Sequence, residues 1–148
     1  MTTSKKARTA ARLAAVQALY QHEMEGTPLA SLLDEFHRHR LGAVIDDEQY
    51  LSAEVAFFDD VVKGALARRE DIDDLLGRKL AQGWSLKRLD KTMLQILRAG
   101  SYELMARADV PTAAAISEYV DVAHAFFQPR EAKFVNGVLD AVAKAVRS

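Results

Sequence analysis

The feature that most restricts what this chain can fold into is a hydrophobic period near 3.6 residues that restarts seven times, with no stretch alternating at period two. Each such stretch offers one apolar stripe to bury and no strand face to pair, so the chain reads as all-α, with about seven helices packed stripe against stripe. The first helix runs roughly from Ser4 to Glu25, with Leu13, Val16, Tyr20 and Met24 on one side. Gly26-Thr27-Pro28 then supplies a C′ glycine, an N-cap threonine and an N1 proline. Leu29, Leu32, Leu33 and Phe36 mark helix two, and residues 41–48 lose the period and read as a loop.

Helix three carries Leu51, Val55, Phe58, Val62 and Leu66, and a break near Glu70-Asp71 leads to a short fourth helix closed by Gly83. Ser85 is placed to cap a long fifth helix, with Trp84 stapled onto Leu89 and Leu86, Met93, Ile96, Leu97, Gly100 and Leu104 along one side. Asp109-Val110-Pro111-Thr112 forms the next turn. Helix six shows Ile116, Tyr119, Val120, Ala123 and Phe127 and stops at Gln128-Pro129, and helix seven carries Val135, Val138, Leu139, Val142 and Val146. The residues 41–48 separate an N-terminal helix pair from the rest.

Several function classes are excluded or left without residues. Cysteine is absent, which removes disulfides, thiolate nucleophiles and sulfur-rich zinc sites. No apolar run approaches the ~20 residues needed to span a bilayer. The basic start at Lys5-Lys6 has no apolar segment behind it, so it does not read as a secretory signal and the chain is expected in the cytoplasm. His22-Glu23 opens like a zinc-protease motif, but Gly26 stands where the second histidine belongs. His37 and His39 lie about 200° apart around a helix and cannot share a metal. Asp59-Asp60 and Asp71, Asp73 and Asp74 read as solvated helix faces rather than magnesium ligands. No catalytic residue, metal site or cofactor is assigned, and the chain is not expected to be an enzyme.

Charge points elsewhere. The net charge is −1, yet residues 1–22 hold Lys5, Lys6, Arg8 and Arg12 and no acid, while the remainder carries 16 basic and 21 acidic residues. A basic end on an acidic body suggests a local anion-binding surface. Lys5, Arg8 and Arg12 follow i, i+3, i+7 on one helix face, expected to project as a cationic edge; a frayed, soluble terminus explains the same pattern. A second surface is Arg130, Lys133, Phe134 and Gly137 on helix seven. There Phe134 sits about 100° from Val135, on the flank of the core stripe. An aromatic between two cations beside a glycine suits base stacking with phosphate contact, although from the residues alone a Phe134 that simply widens the core stripe is the favoured reading.

The motifs also resemble a known family. Ala11-Arg12-Leu13-Ala14-Ala15-Val16-Gln17-Ala18-Leu19-Tyr20-Gln21, then Trp84-Ser85-Leu86-Lys87-Arg88-Leu89-Asp90 and Ile96-Leu97-Arg98-Ala99-Gly100-Ser101-Tyr102-Glu103-Leu104, look like successive segments of the NusB transcription antitermination factors. Asp109-Val110-Pro111 with Ala115-Ile116-Ser117-Glu118-Tyr119-Val120 and Lys133-Phe134-Val135-Asn136-Gly137-Val138-Leu139-Asp140 continue the match in order. The resemblance implies an all-α fold of two small packed helical bundles. It implies a single NusB-like RNA-binding domain over residues 1–148, with a basic end at 1–12 and a variable loop at about 41–48. It further implies binding of single-stranded boxA RNA in ribosomal RNA transcripts, together with NusE, a small-subunit ribosomal protein, in an antitermination complex on RNA polymerase. The RNA-binding residues it indicates are the basic N-terminal region (Lys5, Lys6, Arg8, Arg12), Tyr20 and Phe134, the last flanked by Arg130 and Lys133. Asn136, Arg98 and Glu103 are expected to hold helices together. The alternative is a helical protein–protein module, self-associating or not, that binds no RNA; homo-oligomerisation stays open.

Overall fold

A computed structural model describes the backbone of residues 2–41 and 48–147, and the side chains of 7–39, 41 and 55–147. The described residues form seven α-helices: α1 (Thr2–Glu25), α2 (Leu29–Phe36), α3 (Glu48–Ala67), α4 (Arg69–Lys79), α5 (Lys91–Ala106), α6 (Thr112–Phe126) and α7 (Pro129–Val146). They divide into two compact units, Met1–Gly64 and Ala65–Ser148, a pair of helical bundles as expected, but the boundary falls in the last turn of α3 rather than at residues 41–48, so α3 joins the N-terminal helix pair.

In the first unit α1 buries an alanine face, Ala7, Ala11, Ala14, Ala15 and Ala18, with Val16 and Leu19 beside it. Small side chains let neighbouring backbone approach and cost no rotamer entropy. Tyr20 and Met24, expected on the apolar side, are exposed instead. Gly26 ends the helix at φ 70°, a left-handed conformation that favours glycine, with its N–H donating to the His22 carbonyl at 2.9 Å. Pro28 is extended rather than the first helical residue, and its carbonyl accepts from Leu32. Thr27 therefore does not cap α2; its hydroxyl accepts from Gln21 Nε2 at 3.4 Å. A π-helical turn, His37–Leu41, continues from α2. Of the expected 41–48 loop, Leu41 is a buried end of that turn, Glu48 opens α3, and residues 42–47 lie outside the described ones, as does the Leu51 side chain. Phe36 stacks on Phe58 of α3 at 5.5 Å, and His37 Nε2 meets Asp59 at 2.6 Å.

The second unit is organised around α5, in which every residue from Met93 to Leu104 is buried. Its start differs from the expectation. Leu86–Arg88 forms only a 3₁₀ turn and Leu89 is extended. The helix begins after Asp90, whose Oδ1 accepts from the N–H groups of Thr92 (2.8 Å) and Met93 (3.2 Å). A carboxylate that satisfies two orphan donors is a stronger start signal than Ser85, whose side chain makes no cap bond. The α3–α4 break falls at Arg68, before the Glu70-Asp71 position read from sequence.

Burial of α5 from Met93 to Leu104 favours partners for its polar side chains; Arg98 and Glu103 find them, while Gln95 Nε2 and Ser101 Oγ make no hydrogen bond. Arg98 donates from Nε and Nη2 to both carboxylate oxygens of Asp73 on α4, each at 2.8 Å. Glu103 accepts from the Tyr119 hydroxyl of α6. The helix-binding roles expected of Arg98 and Glu103 are thus met, whereas Asn136 is exposed. Arg147, just past α7, closes the other end of α5: its guanidinium donates to the carbonyls of Leu104 (2.8 Å), Arg107 (2.7 Å) and Val110 (2.7 Å). At Gly100 an added Cβ would lie 2.9 Å from Leu139 Cδ1 of α7. Gly100→Ala is therefore expected to destabilise the fold by about 1–3 kcal/mol through overpacking. Arg98→Ala should cost about 3 kcal/mol, because it strands a half-buried Asp73. Urea denaturation followed by circular dichroism measures both.

Candidate nucleic-acid interface

The basic N-terminal face is built on the first turns of α1. Lys5 and Lys6 lie on the helix, and their side chains are outside the described residues. Arg8 and Arg12 turn back onto the protein: their guanidinium carbons sit 4.7 and 4.9 Å from the centroid of the Phe57 ring on α3. Arg8 is half-buried and Arg12 is 5% exposed. The expected cationic edge consequently does not extend to Arg12. Attraction between a cation and an aromatic face, worth roughly 0.5–2 kcal/mol and larger when desolvated, favours this placement. The long side-chain stems are buried along the way. Tyr20, two turns on, is 38% exposed and presents an aromatic surface to solvent.

The second surface lies within the other unit, where α5 and α7 present their N-terminal turns to an apolar groove of about 500 Å³. Phe134 lines it half-buried, so it neither joins the core fully nor stands free. Arg130 also lines the groove, with 93% of its side chain exposed, and Lys133 is exposed one turn along α7. Local sequence explains this placement. Gln128 and Glu131 form a reciprocal capping box, and Pro129 supplies a preset φ at the first helical position. The start of α7 is therefore fixed, and with it the register that sends Val135, Val138 and Leu139 inward and Phe134 to the flank.

The arrangement offers stacking area and positive charge. Among the described residues no group of three or more His, Asp or Glu is placed to hold a metal ion. Of the acids read from sequence as solvated faces, Asp73 and Asp59 are half-buried and pair across elements with Arg98 and His37, while Asp74 makes an exposed pair with Arg78 within α4. No helix among the described residues is long and apolar enough to cross a membrane. Sequence patterning missed two groove residues. Trp84, read from sequence as a staple onto Leu89, is 54% exposed and lies against Phe134, and Arg88 shares the same groove. The sequence signal for Trp84 is a large aromatic directly after Gly83 in a polar turn.

These features define an all-α protein with cationic and aromatic surfaces of the kind that bind nucleic acid. Comparison with known proteins makes the class specific. The NusB family model matches residues 9–144. The transcription antitermination protein NusB of Novosphingobium aromaticivorans is 73% identical, covering 97% of each chain. That of Sphingopyxis alaskensis is 62% identical over 99% of each. Among solved structures, a chain from the crystal structure of antitermination factors NusB and NusE in complex with dsRNA superposes with a TM-score of 0.78. It is 26% identical and the match covers 95% of this chain and 98% of that one. The chain belongs to the NusB family, and its members are non-catalytic regulators, in keeping with the expectation that it is not an enzyme.

Gly137 provides a check on what the α7 surface is for. It is exposed, sits in the helix interior, and a Cβ there would meet nothing within 4 Å. Gly137→Ala should raise stability by about 0.5–1 kcal/mol, since the fold itself makes no use of the glycine. Any loss of ligand affinity in that more stable variant would then report close approach at the surface. Urea denaturation measures the first quantity and a binding titration the second.

Proposed function

We propose that this chain is a transcription antitermination factor that binds single-stranded boxA RNA of ribosomal RNA transcripts and assembles with NusE on RNA polymerase. The observation that carries the proposal is a half-buried Phe134 held between exposed Arg130 and Lys133 at the mouth of an apolar groove. Membership of the NusB family supports it, as does the likeness to a chain whose crystal structure is described as antitermination factors NusB and NusE in complex with dsRNA. Whereas that neighbour is described with double-stranded RNA, the chemistry here favours unpaired RNA, because base faces are available for stacking only outside a duplex.

In this account residues 1–148 act as one RNA-binding domain in the cytoplasm, where nascent transcripts are found. Lys5, Lys6 and Arg8 supply attraction for phosphates, Arg12 holds the helix end against Phe57, and Tyr20 and Phe134 offer base-stacking surfaces. Arg130 and Lys133 neutralise phosphates beside Phe134. The partly lysine N-terminal cluster gives point charges rather than bidentate forks and so contributes attraction more than geometry. The role is assembly, with no turnover.

Neutralising about four phosphates predicts a slope of log K against log salt near −3 for single-stranded RNA. Fluorescence anisotropy with a labelled boxA-like RNA, scrambled RNA as control and NusE present or absent, measures it. A salt-independent affinity, or equal affinity for boxA-like and scrambled RNA with NusE present, would sink the proposal. Phe134→Ala is expected to weaken binding by roughly 1–3 kcal/mol while leaving the salt slope unchanged, as loss of a stacked base requires.

A further inference from the structure

We propose that the groove at the start of α5 and α7 accepts one unstacked nucleobase of the bound RNA, with Trp84 as its principal stacking platform and Arg88 and Arg130 as its phosphate-facing rim. The inference rests on the RNA-binding function proposed above and assigns that site a second aromatic residue and a cation outside the family-matched contacts.

Trp84 is the chain's single tryptophan and, although 54% exposed, it is held in place. Gly83 takes φ 90°, which turns the chain, and the Trp84 N–H donates to the Ala81 carbonyl at 3.0 Å. The Arg88 guanidinium then donates to the Gly83 carbonyl at 2.9 Å and ties the turn to the following segment. A large aromatic fixed at the surface before any ligand arrives loses little entropy on binding, and this favours recognition through its exposed face.

The rings of Trp84 and Phe134 have centroids 6.2 Å apart and planes tilted by 42°, so they form an open wedge rather than a closed stack. Leu89, Met93 and Phe127 line the groove beneath. A planar, weakly polar group fits a wedge of this kind, with one face on the indole and an edge toward Phe134.

Charge decides between a base and an apolar side chain of a protein partner. Arg88 and Arg130 line the groove, and Lys87 and Lys133 are exposed next to them in sequence or one turn away. The two acids that also line it are occupied as helix caps. Asp90 Oδ1 accepts from Thr92 and Met93, while Glu131 accepts from the Gln128 N–H and from Arg130. An aromatic wedge rimmed by cations matches a nucleotide, which carries a π-face and a phosphate together. A buried aliphatic side chain would have no use for the cations.

The single tryptophan makes the test direct. The full-length chain is titrated with boxA-like single-stranded RNA, following RNA-label anisotropy in one series and Trp84 emission with unlabelled RNA in another. The expected result is emission quenching with the same midpoint as the anisotropy change, and its loss when one particular nucleotide in the RNA is made abasic. Trp84→Ala should weaken binding by about 5- to 100-fold at every salt concentration without changing the salt slope, and Trp84→Phe should recover most of that loss. Urea denaturation checks folding; should Trp84→Ala prove unstable, quenching in the native chain and the affinity of Trp84→Phe decide. Anisotropy that rises with unchanged Trp84 emission and an unimpaired Trp84→Ala would overturn the inference while RNA binding stands. Emission that responds to NusE alone and not to RNA would also overturn it, assigning the groove to protein. No RNA binding by the native chain at low salt would remove both proposals together.

Discussion

Complete burial of α5 is the constraint from which the second unit follows. A helix enclosed from Met93 to Leu104 has no solvent side on which to place Arg98 or Glu103, so each must be matched by a group on a neighbouring helix. Asp73 does this from α4 and Tyr119 from α6, while Gly100 lets the Leu139 side chain of α7 come within contact. These contacts are directional or sterically exacting, so they fix the rotation of each surrounding helix as well as its proximity. Once α7 is fixed in rotation, Phe134 has only one place to be. The surface that carries the proposed function thus follows from how Arg98, Glu103 and Gly100 are matched across the helices.

The first unit solves a different problem with different residues. Its α1 is rich in alanine, which folds readily but gives little area to hold a neighbour. Two arginines over one phenylalanine ring add contact at the helix start, where fraying is otherwise expected. This changes what the N-terminal charge can do. An arginine at 5% exposure contributes potential at the surface, yet its donors are not freely presented to a phosphate, so the function proposed above leaves direct contact to the cations that precede it. Packing and ligand attraction draw on the same short run of basic residues.

The existence and type of the helices were legible because period and punctuation agreed, as at Gly26, Pro111 and Pro129. Boundaries were legible only where no local hydrogen bond competed. Asp90 displaced the expected start of α5 because its carboxylate satisfies two backbone donors that a hydrophobic pattern does not register. Arg12 was misplaced for a related reason: a helical wheel shows that a cation shares a face with others, and its partner Phe57 is 45 positions away in sequence. Asn136 sat in a motif dense with core residues but faces solvent, one position beyond Val135 and therefore about 100° around the helix. The flank position of Phe134 was readable from the same arithmetic. The Trp84 that accompanies it was not, because a turn held by Gly83 and Arg88 has no period.

In the function proposed above, affinity for RNA has to be divided unevenly between charge and stacking. The chain as a whole carries −1, with four cations and no acid over residues 1–22 and Arg88 and Arg130 lining the α7 groove. A polyanion is therefore drawn only to particular surfaces, and long-range attraction orients it without distinguishing its sequence. Stacking is likewise tolerant, since every base has a π-face. Neither contribution separates one single-stranded RNA from another strongly. In the function proposed here, discrimination must come from how many stacking sites can be filled at once by one strand, and from a second protein that fixes the strand's path. A chain with this distribution of charge and aromatic surface is therefore suited to act in an assembly, where its partner supplies the selectivity that its own groups lack.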